Sequence, residues 1–196
     1  MLSILTILSK MSNSTTRLTL SHATLAVRDL NAMVDFYTSV LGFVVSDRGA
    51  PLPGAGEMAF ITQDPSEHHQ LVLVEVPAPP PRSFMLADHL AFRTGTLDDL
   101  RALASRLADA QIADVVPISH GNAWSLYFTD PEGNGVECFV DSPFHVGQPY
   151  ADSLDLSMSD AEVESSTRGK VEGRPEFQSA DSWRDAMAAR LGHAPS

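Results

Sequence analysis

The sequence contains a single cysteine and no long apolar run. With only Cys138 among 196 residues, no disulfide can form within the chain, and this cysteine usage is typical of the reducing cytosol. The apolar stretches fall well short of the roughly 20 residues that span a bilayer, so no membrane segment is predicted. We therefore expect a cytoplasmic protein without a membrane partner, in which Cys138 is a small buried residue.

Basic residues are also scarce. Lysine and arginine together number 13 against 25 aspartates and glutamates, which gives a formal net charge of −12. An acidic surface repels phosphate backbones, and no basic run offsets this, so a nucleic-acid partner is disfavoured. The chain length suits one domain or two small fused modules. Residues 1–16 contain a short apolar run without a basic start or a clear cleavage site, and we interpret them as a disordered leader outside the fold.

One pattern of secondary structure occurs twice along the chain. A strand is followed by an amphipathic helix and three further strands, with turn residues between them. The first copy is predicted to have a strand at 20–27, a helix at 28–41 and strands at 43–47, 57–62 and 70–76, and the second to have a strand at 88–93, a helix at 96–110 and strands at 114–119, 123–129 and 135–140. The sequence thus predicts an α+β fold, with βαβββ modules at 18–76 and 87–141 joined by a stiff, proline-rich linker at 77–82.

Capping residues mark the ends of the predicted helices. Asp29 can accept a hydrogen bond from the first turn of the first helix, and Gly42 follows the last apolar residue of that helix, where a C-terminal stop is expected. Thr96 and Asp99 have the spacing of a capping box at the start of the second helix. The hydrophobic pattern and the caps therefore predict the same helix boundaries.

Two histidines occupy equivalent positions in the two copies. His22 and His89 each lie in the first strand of a module, and strand alternation directs them away from the apolar side that the helix covers. Glu137 takes the same side of the last strand, between apolar residues, where a carboxylate is costly unless it is paired or binds a metal. Each histidine alone could be an edge-strand residue with no task, but the repetition favours a ligand role. Two imidazoles and one carboxylate suit Fe(II), with Mn(II) as a near neighbour.

Two motifs connect these modules to a known family. Residues 35–43 read DFYTSVLGF, and residues 130–137 read DPEGNGVE. Together with the paired modules they resemble the vicinal-oxygen-chelate superfamily over residues 18–145, and within it the small one-domain type I extradiol ring-cleaving dioxygenases. The resemblance implies a cup-shaped mixed sheet around one metal ion. That ion would be Fe(II), or Mn(II), and its ligands would be His22, His89 and Glu137.

Three further residues match the site of those dioxygenases. His69 is the second member of a histidine pair on the last strand of the first module, and His120 and Tyr127 precede Glu137 in the second. By resemblance, His120 would be a general acid or base, Tyr127 would hydrogen-bond a substrate oxygen, and His69 would stabilise superoxide. The substrates would be a small aromatic diol and O2. Loop placement could also explain both histidines, and Tyr127 could be a half-buried strand residue; we interpret His68 as a loop residue.

The same family pattern leaves two other functions open. A glyoxalase I-like isomerase or related lyase would need a fourth, carboxylate ligand on the last strand of the first module. The chain has His69, Gln70 and Leu71 there, and Glu75 lies too near the strand end. A metal-free protein that sequesters a ligand, like the bleomycin-resistance proteins, would not need the full triad. The dioxygenase is the favoured prediction, and we expect a homo-oligomer because small family members often associate.

The C-terminal part has no counterpart in the repeat. We assign residues 17–145 to the vicinal-oxygen-chelate domain and residues 146–196 to a tail with short helices, one of them predicted at 182–191. The tail is expected to cover the mouth of the cup or to pack on a second subunit. His145 and His193 are predicted to be surface residues.

Overall fold

The computed structural model describes residues 19–50, 52, 55–76 and 89–192. Three predictions fall outside this part of the chain, namely the leader at 1–16, the linker at 77–82 and the surface position of His193. Among the helices within the described ranges, none is long and apolar enough to cross a membrane.

The described residues form eleven strands and four helices. The strands are β1 (Ala23–Val27), β2 (Val44–Gly49), β3 (Met58–Thr62), β4 (Leu71–Glu75), β5 (His89–Arg93), β6 (Val116–Ser119), β7 (Ala123–Thr129), β8 (Gly135–Asp141), β9 (Phe144–His145), β10 (Asp152–Ser153) and β11 (Gln178–Ser179). The helices are α1 (Leu30–Ser39), α2 (Leu97–Asp109), α3 (Asp160–Val171) and α4 (Ala180–Arg190).

The two modules have the same strand order. β1, β4, β3 and β2 form one sheet in that order, and β5, β8, β7 and β6 form the second, to which β10 adds at the β6 edge. In each module the first and last strands run parallel, and the other neighbours run antiparallel. The predicted α+β fold with two βαβββ modules is therefore confirmed.

Both helices of the repeat begin at the predicted caps. The Asp29 side chain accepts a hydrogen bond from the Ala32 N–H, and Thr96 and Asp99 form the capping box of α2. Gly42 follows α1 with a φ of +83°, a conformation that strains residues with a Cβ atom. Each helix end lies within two residues of its predicted position.

One buried apolar cluster spans both modules. It includes α1 residues such as Met33 and Phe36, the apolar side of α2, and the inward side of β7 and β8. The rings of Phe36 on α1 and Phe128 on β7 pack edge to face, with 6.5 Å between their centroids. Cys138 belongs to this cluster, as predicted, and burial raises the pKa of its thiol to about 12.

The turn between β7 and β8 contacts the first module directly. The Tyr37 hydroxyl of α1 donates to the Asp130 carboxylate at 3.3 Å, and burial raises the pKa of Tyr37 above its ordinary range. Glu132 accepts hydrogen bonds from the main-chain N–H groups of Arg28 and Asp29. A carboxylate of the second module therefore satisfies main-chain donors at the start of a helix in the first.

The C-terminal tail packs on the second module. β10 extends the second sheet by pairing with β6, and the Trp124 Nε1–H of β7 donates to Thr167 of α3 at 2.8 Å. A second, smaller apolar cluster is formed within the tail by Val146, Tyr150 and Val171. The tail is thus attached to its own chain next to β6 and β7.

The predicted surface position of His145 is wrong. The residue is 8% exposed, because β9 pairs with β11 and brings α4 over it. Its ring stacks on that of Trp183, with 4.8 Å between the centroids. The periodicity of β9 gives no sign of this burial, since the covering helix comes from a distant part of the sequence.

Candidate active site

His89 and Glu137 lie side by side on the second sheet. β5 and β8 are parallel neighbours, in which Ala91 is opposite Glu137. His89 and Ala91 share a face of β5, so the imidazole reaches the carboxylate, and Nε2 of His89 lies 3.2 Å from Oε2 of Glu137. Glu137 is only 8% exposed, and this pairing offsets the cost of a buried carboxylate.

Tyr127 is the next residue in the same line. It lies opposite Glu137 in the antiparallel pair of β7 and β8, and its hydroxyl donates to Oε1 of Glu137 at 2.7 Å. The Tyr127 ring also packs edge to face on that of His89, with 5.3 Å between centroids. Both carboxylate oxygens of Glu137 therefore have partners on neighbouring strands.

His120 extends this line at the hairpin between β6 and β7. Its Nε2 lies 2.9 Å from the Tyr127 hydroxyl, and its Nδ1 lies 2.7 Å from the Tyr150 carbonyl oxygen. The order His89, Glu137, Tyr127, His120 is thus a continuous series of polar contacts. Sequence reasoning missed the tail residue Tyr150, because it contributes a main-chain atom and its side chain has no relevant signal.

His22 and His69 meet at the first sheet. His22 directly precedes β1, and His69 lies two residues before the start of β4, the parallel neighbour of β1. The centroids of the two imidazole rings are 4.5 Å apart. Burial lowers the pKa of His69, and the neighbouring rings of His22 and His68 lower it further. His68 and His69 share a contact of 2.9 Å between their Nδ1 atoms, and the Phe60 ring packs on both. His69 therefore lies beside His22, a predicted metal ligand.

Comparison with known proteins identifies the fold. The family model of the Glyoxalase/Bleomycin resistance protein/Dioxygenase superfamily matches residues 19–138. The chain belongs to this superfamily. The match ends within β8, so the tail lies beyond it.

Two of the similar proteins are dioxygenases by name. Biphenyl-2,3-diol 1,2-dioxygenase 3 of Rhodococcus globerulus is 38% identical over 129 residues, which are 63% of this chain and 63% of that protein. Catechol-2,3-dioxygenase of Bacillus subtilis (strain 168) is 32% identical over 130 residues, which are 63% of this chain and 42% of that protein. The chain thus spans less than two thirds of the length of either enzyme.

A similar solved structure has the same architecture. It is a glyoxylase/bleomycin resistance protein/dioxygenase domain from Frankia sp. EAN1pec, with 27% sequence identity and a TM-score of 0.56. The superposition covers 64% of this chain and 93% of that domain. The rest of this chain has no counterpart in that domain, and it is long enough to include the whole tail.

The structure brings the predicted site residues together in two groups. His89, Glu137, Tyr127 and His120 form one, and His22 with His69 form the other. Within the described ranges, no three histidine, cysteine or acidic side chains lie close enough to hold a metal ion. The metal triad and the three catalytic roles remain predictions.

The donor set nevertheless fits a divalent metal of the Fe(II) or Mn(II) type. Glu137 is a buried carboxylate between the apolar residues Val136 and Cys138, and an imidazole nitrogen of His89 lies beside it. His22 would add a second imidazole from the start of β1. Two nitrogens and one carboxylate oxygen are the ligands that non-haem iron prefers.

Ser125 is a buried polar residue to which the sequence assigns no role, although strand alternation puts it on the same side of β7 as Tyr127. It lies two residues before Tyr127, and side chains alternate with period 2 along a strand. Its side chain is buried, and its Oγ has no hydrogen-bond partner among the described residues. It is therefore a useful test position, because its hydroxyl carries a desolvation cost without a compensating bond.

Proposed function

We propose that the protein is a metal-dependent dioxygenase that cleaves the ring of a catechol-like aromatic diol with O2, next to the diol carbons. The observation that carries this proposal is the series His89, Glu137, Tyr127 and His120, in which each side chain contacts the next. The names of two similar proteins, a biphenyl-2,3-diol 1,2-dioxygenase and a catechol-2,3-dioxygenase, support it. In this reaction both oxygen atoms of O2 enter the product, so no external reductant is consumed.

His22, His89 and Glu137 would hold the metal, Fe(II) or Mn(II). When bound, this ion supplies Lewis acidity to the two diol oxygens and the redox chemistry that O2 activation requires. The chain's own contribution is to place the ligands. The Tyr127 hydroxyl holds one oxygen of Glu137 in a fixed orientation, a form of support that tunes many metal ligands.

Proton transfer is the task proposed for His120 and Tyr127. Ring cleavage requires that the diol loses protons and that a product oxygen gains one. Imidazole is the side chain whose ordinary pKa suits both directions near neutral pH. His120 faces the Tyr127 hydroxyl, so these two residues can pass a proton between themselves and a substrate oxygen.

His69 is proposed as a hydrogen-bond donor to oxygen. It lies beside His22, the metal ligand proposed in the first module. A fixed N–H donor at this place would stabilise negative charge that develops on reduced oxygen. A glyoxalase I-like site needs a fourth ligand, a carboxylate, on β4. The carboxylate that the described residues of β4 offer is Glu75, which lies at the very end of the strand.

The test combines metal loading with a substrate panel. Protein purified without oxygen and loaded with Fe(II) is mixed in air with catechol, 2,3-dihydroxybiphenyl and substituted catechols. O2 uptake is followed at an electrode and ring-opened product by its absorbance. We expect uptake and a yellow product with at least one diol, and neither with Glu137→Gln. The proposal fails if the iron-loaded protein consumes no O2 with any diol, or if it isomerises a glutathione hemithioacetal without O2.

A further inference from the structure

The C-terminal tail is seated on the hairpin that carries His120. Gly121 in this hairpin has a φ of +73°. A Cβ atom there would lie 2.6 Å from Val146 Cγ1 and 3.2 Å from both Tyr150 Cδ1 and Val171 Cγ1. The tail therefore approaches the hairpin main chain as closely as glycine alone permits. This contact involves residues beyond the match to the superfamily.

The Gln148 side chain hydrogen-bonds to the main chain of both the hairpin and the tail. Its Nε2 donates to the His120 carbonyl at 2.8 Å, and its Oε1 accepts from the Tyr150 N–H at 3.0 Å. The Tyr150 carbonyl in turn lies 2.7 Å from Nδ1 of His120. The imidazole is thus held at Nδ1 by the tail and at Nε2 by Tyr127.

The chemistry of these partners determines where His120 carries its protons. A carbonyl oxygen only accepts hydrogen bonds, so Nδ1 has a hydrogen that it donates to Tyr150. The Tyr127 hydroxyl has one hydrogen to donate. When it donates that hydrogen to Glu137, Nε2 of His120 must carry a hydrogen too and donate it to the Tyr127 oxygen, so both ring nitrogens are then protonated. Neutral His120 instead accepts the Tyr127 hydrogen at Nε2. Proton exchange is therefore confined to Nε2.

We propose that the tail is a positioning element of the active site: the Tyr150 carbonyl keeps a proton on Nδ1 of His120, so that Nε2 is the nitrogen that takes up and releases a proton toward Tyr127 and substrate. The consequence for turnover rests on the proposed function, whereas the proton position does not. Without this contact, neutral histidine reverts to its intrinsic preference for a proton on Nε2. That form cannot accept a proton on the side that faces Tyr127.

Nitrogen NMR of the full-length protein with 15N-labelled histidine reads the proton position, because protonated and unprotonated ring nitrogens differ widely in chemical shift. The His120 signals are assigned by their loss in His120→Gln. Neutral wild-type His120 should have a protonated Nδ1. Gln148→Met keeps the side-chain length without its hydrogen bonds, and Gly121→Val displaces Val146; both should shift the proton toward Nε2. Gln178→Met, the same change on β11, should retain the wild-type signals.

Turnover provides the second readout. In Gln148→Met it should fall roughly tenfold with little change in KM, less than the full loss of an acid–base group, and Gln178→Met should be unaffected. A neutral wild-type His120 with its proton on Nε2 instead of Nδ1, or wild-type signals retained in Gln148→Met, would overturn the proposal. That variant decides alone if Gly121→Val does not fold, since it alters only an exposed side chain. If the signals behave as expected but wild-type protein consumes no O2 with diols, the proposed function fails and the positioning stands.

Discussion

Tyr127 lies opposite Glu137 on neighbouring antiparallel strands and donates its hydroxyl hydrogen to the carboxylate at 2.7 Å. Tyr127→Phe keeps the ring and removes this bond, so we expect a folded protein that still binds metal. Turnover should fall by less than the roughly 10²-fold typical of a lost oxyanion donor. Steady-state O2 uptake measures it. Unchanged turnover would show that the hydroxyl has no role in the reaction.

His120→Ala tests the proposed proton carrier. The substitution removes the imidazole next to Tyr127 but leaves the predicted ligands in place, so metal content should stay the same. Turnover should fall by roughly 10²–10⁴-fold, the range for lost acid–base catalysis, and the pH–rate profile should become flatter. Gln178→Met on β11 is the control and should keep the wild-type rate and pH profile, because no role is assigned to that residue. A full rate with the wild-type pH profile in His120→Ala would contradict the assignment.

Metal content tests the predicted ligands directly. Protein prepared without oxygen and loaded with Fe(II) should retain about one ion per chain after desalting, as a three-ligand site predicts. His22→Ala, His89→Ala and Glu137→Ala should each lose it. His68→Ala should keep it, and so should Glu172→Gln, which changes an exposed residue at the end of α3 that pairs with Arg168. Elemental analysis gives the stoichiometry, and circular dichroism confirms folding. Retention of the ion by all three ligand variants would refute the triad.

Ser125 and Ser142 form a matched pair for hydrogen-bond energetics. Both are buried, but the Ser125 hydroxyl has no partner among the described residues. The Ser142 hydroxyl donates to the Gly121 carbonyl and accepts from the Phe144 N–H. Ser142→Ala should cost about 1–3 kcal/mol in the free energy of unfolding, because it leaves buried groups unpaired, whereas Ser125→Ala should be near neutral. Urea denaturation measures both, and equal losses would contradict this account.

The buried thiol gives a prediction about chemical reactivity. Burial raises the pKa of Cys138 to about 12, and only the thiolate form attacks alkylating reagents. At pH 8, well below that value, the thiol stays protonated. Iodoacetamide should therefore leave the native protein unmodified and should alkylate it readily in urea. Mass spectrometry counts the adducts, and fast alkylation of the native protein would show that Cys138 is accessible.

The repeated modules were predictable because local rules act within each element. Strand alternation places Glu137 and Tyr127 on one side, and the register of β7 and β8 then brings them together. The caps Asp29 and Thr96 are short-range features that the sequence states directly. In these places local preference and tertiary packing agree.

The tail was less predictable because its structure depends on distant contacts. The sequence pattern does not predict α3, whose apolar residues are few, although Ser159 and Glu162 form a capping box at its start. His145 is buried by Trp183 from another element. The contact between His120 and Tyr150 likewise depends on how the tail folds back, and no periodicity reports a main-chain acceptor.

The hydrogen bonds that Glu132 accepts from the Arg28 and Asp29 N–H groups have a consequence for how the protein unfolds. Glu132 belongs to the second module, yet it accepts from main-chain N–H groups directly before α1 in the first, and the hydrogen bond between Tyr37 and Asp130 joins the same two modules. Losing the second module would leave the first with unpaired donors, losing the first would leave the second with unpaired carboxylate acceptors, and either loss would open an apolar face. The two modules of the repeat therefore depend on each other for stability. Heat or denaturant should unfold both in one cooperative step.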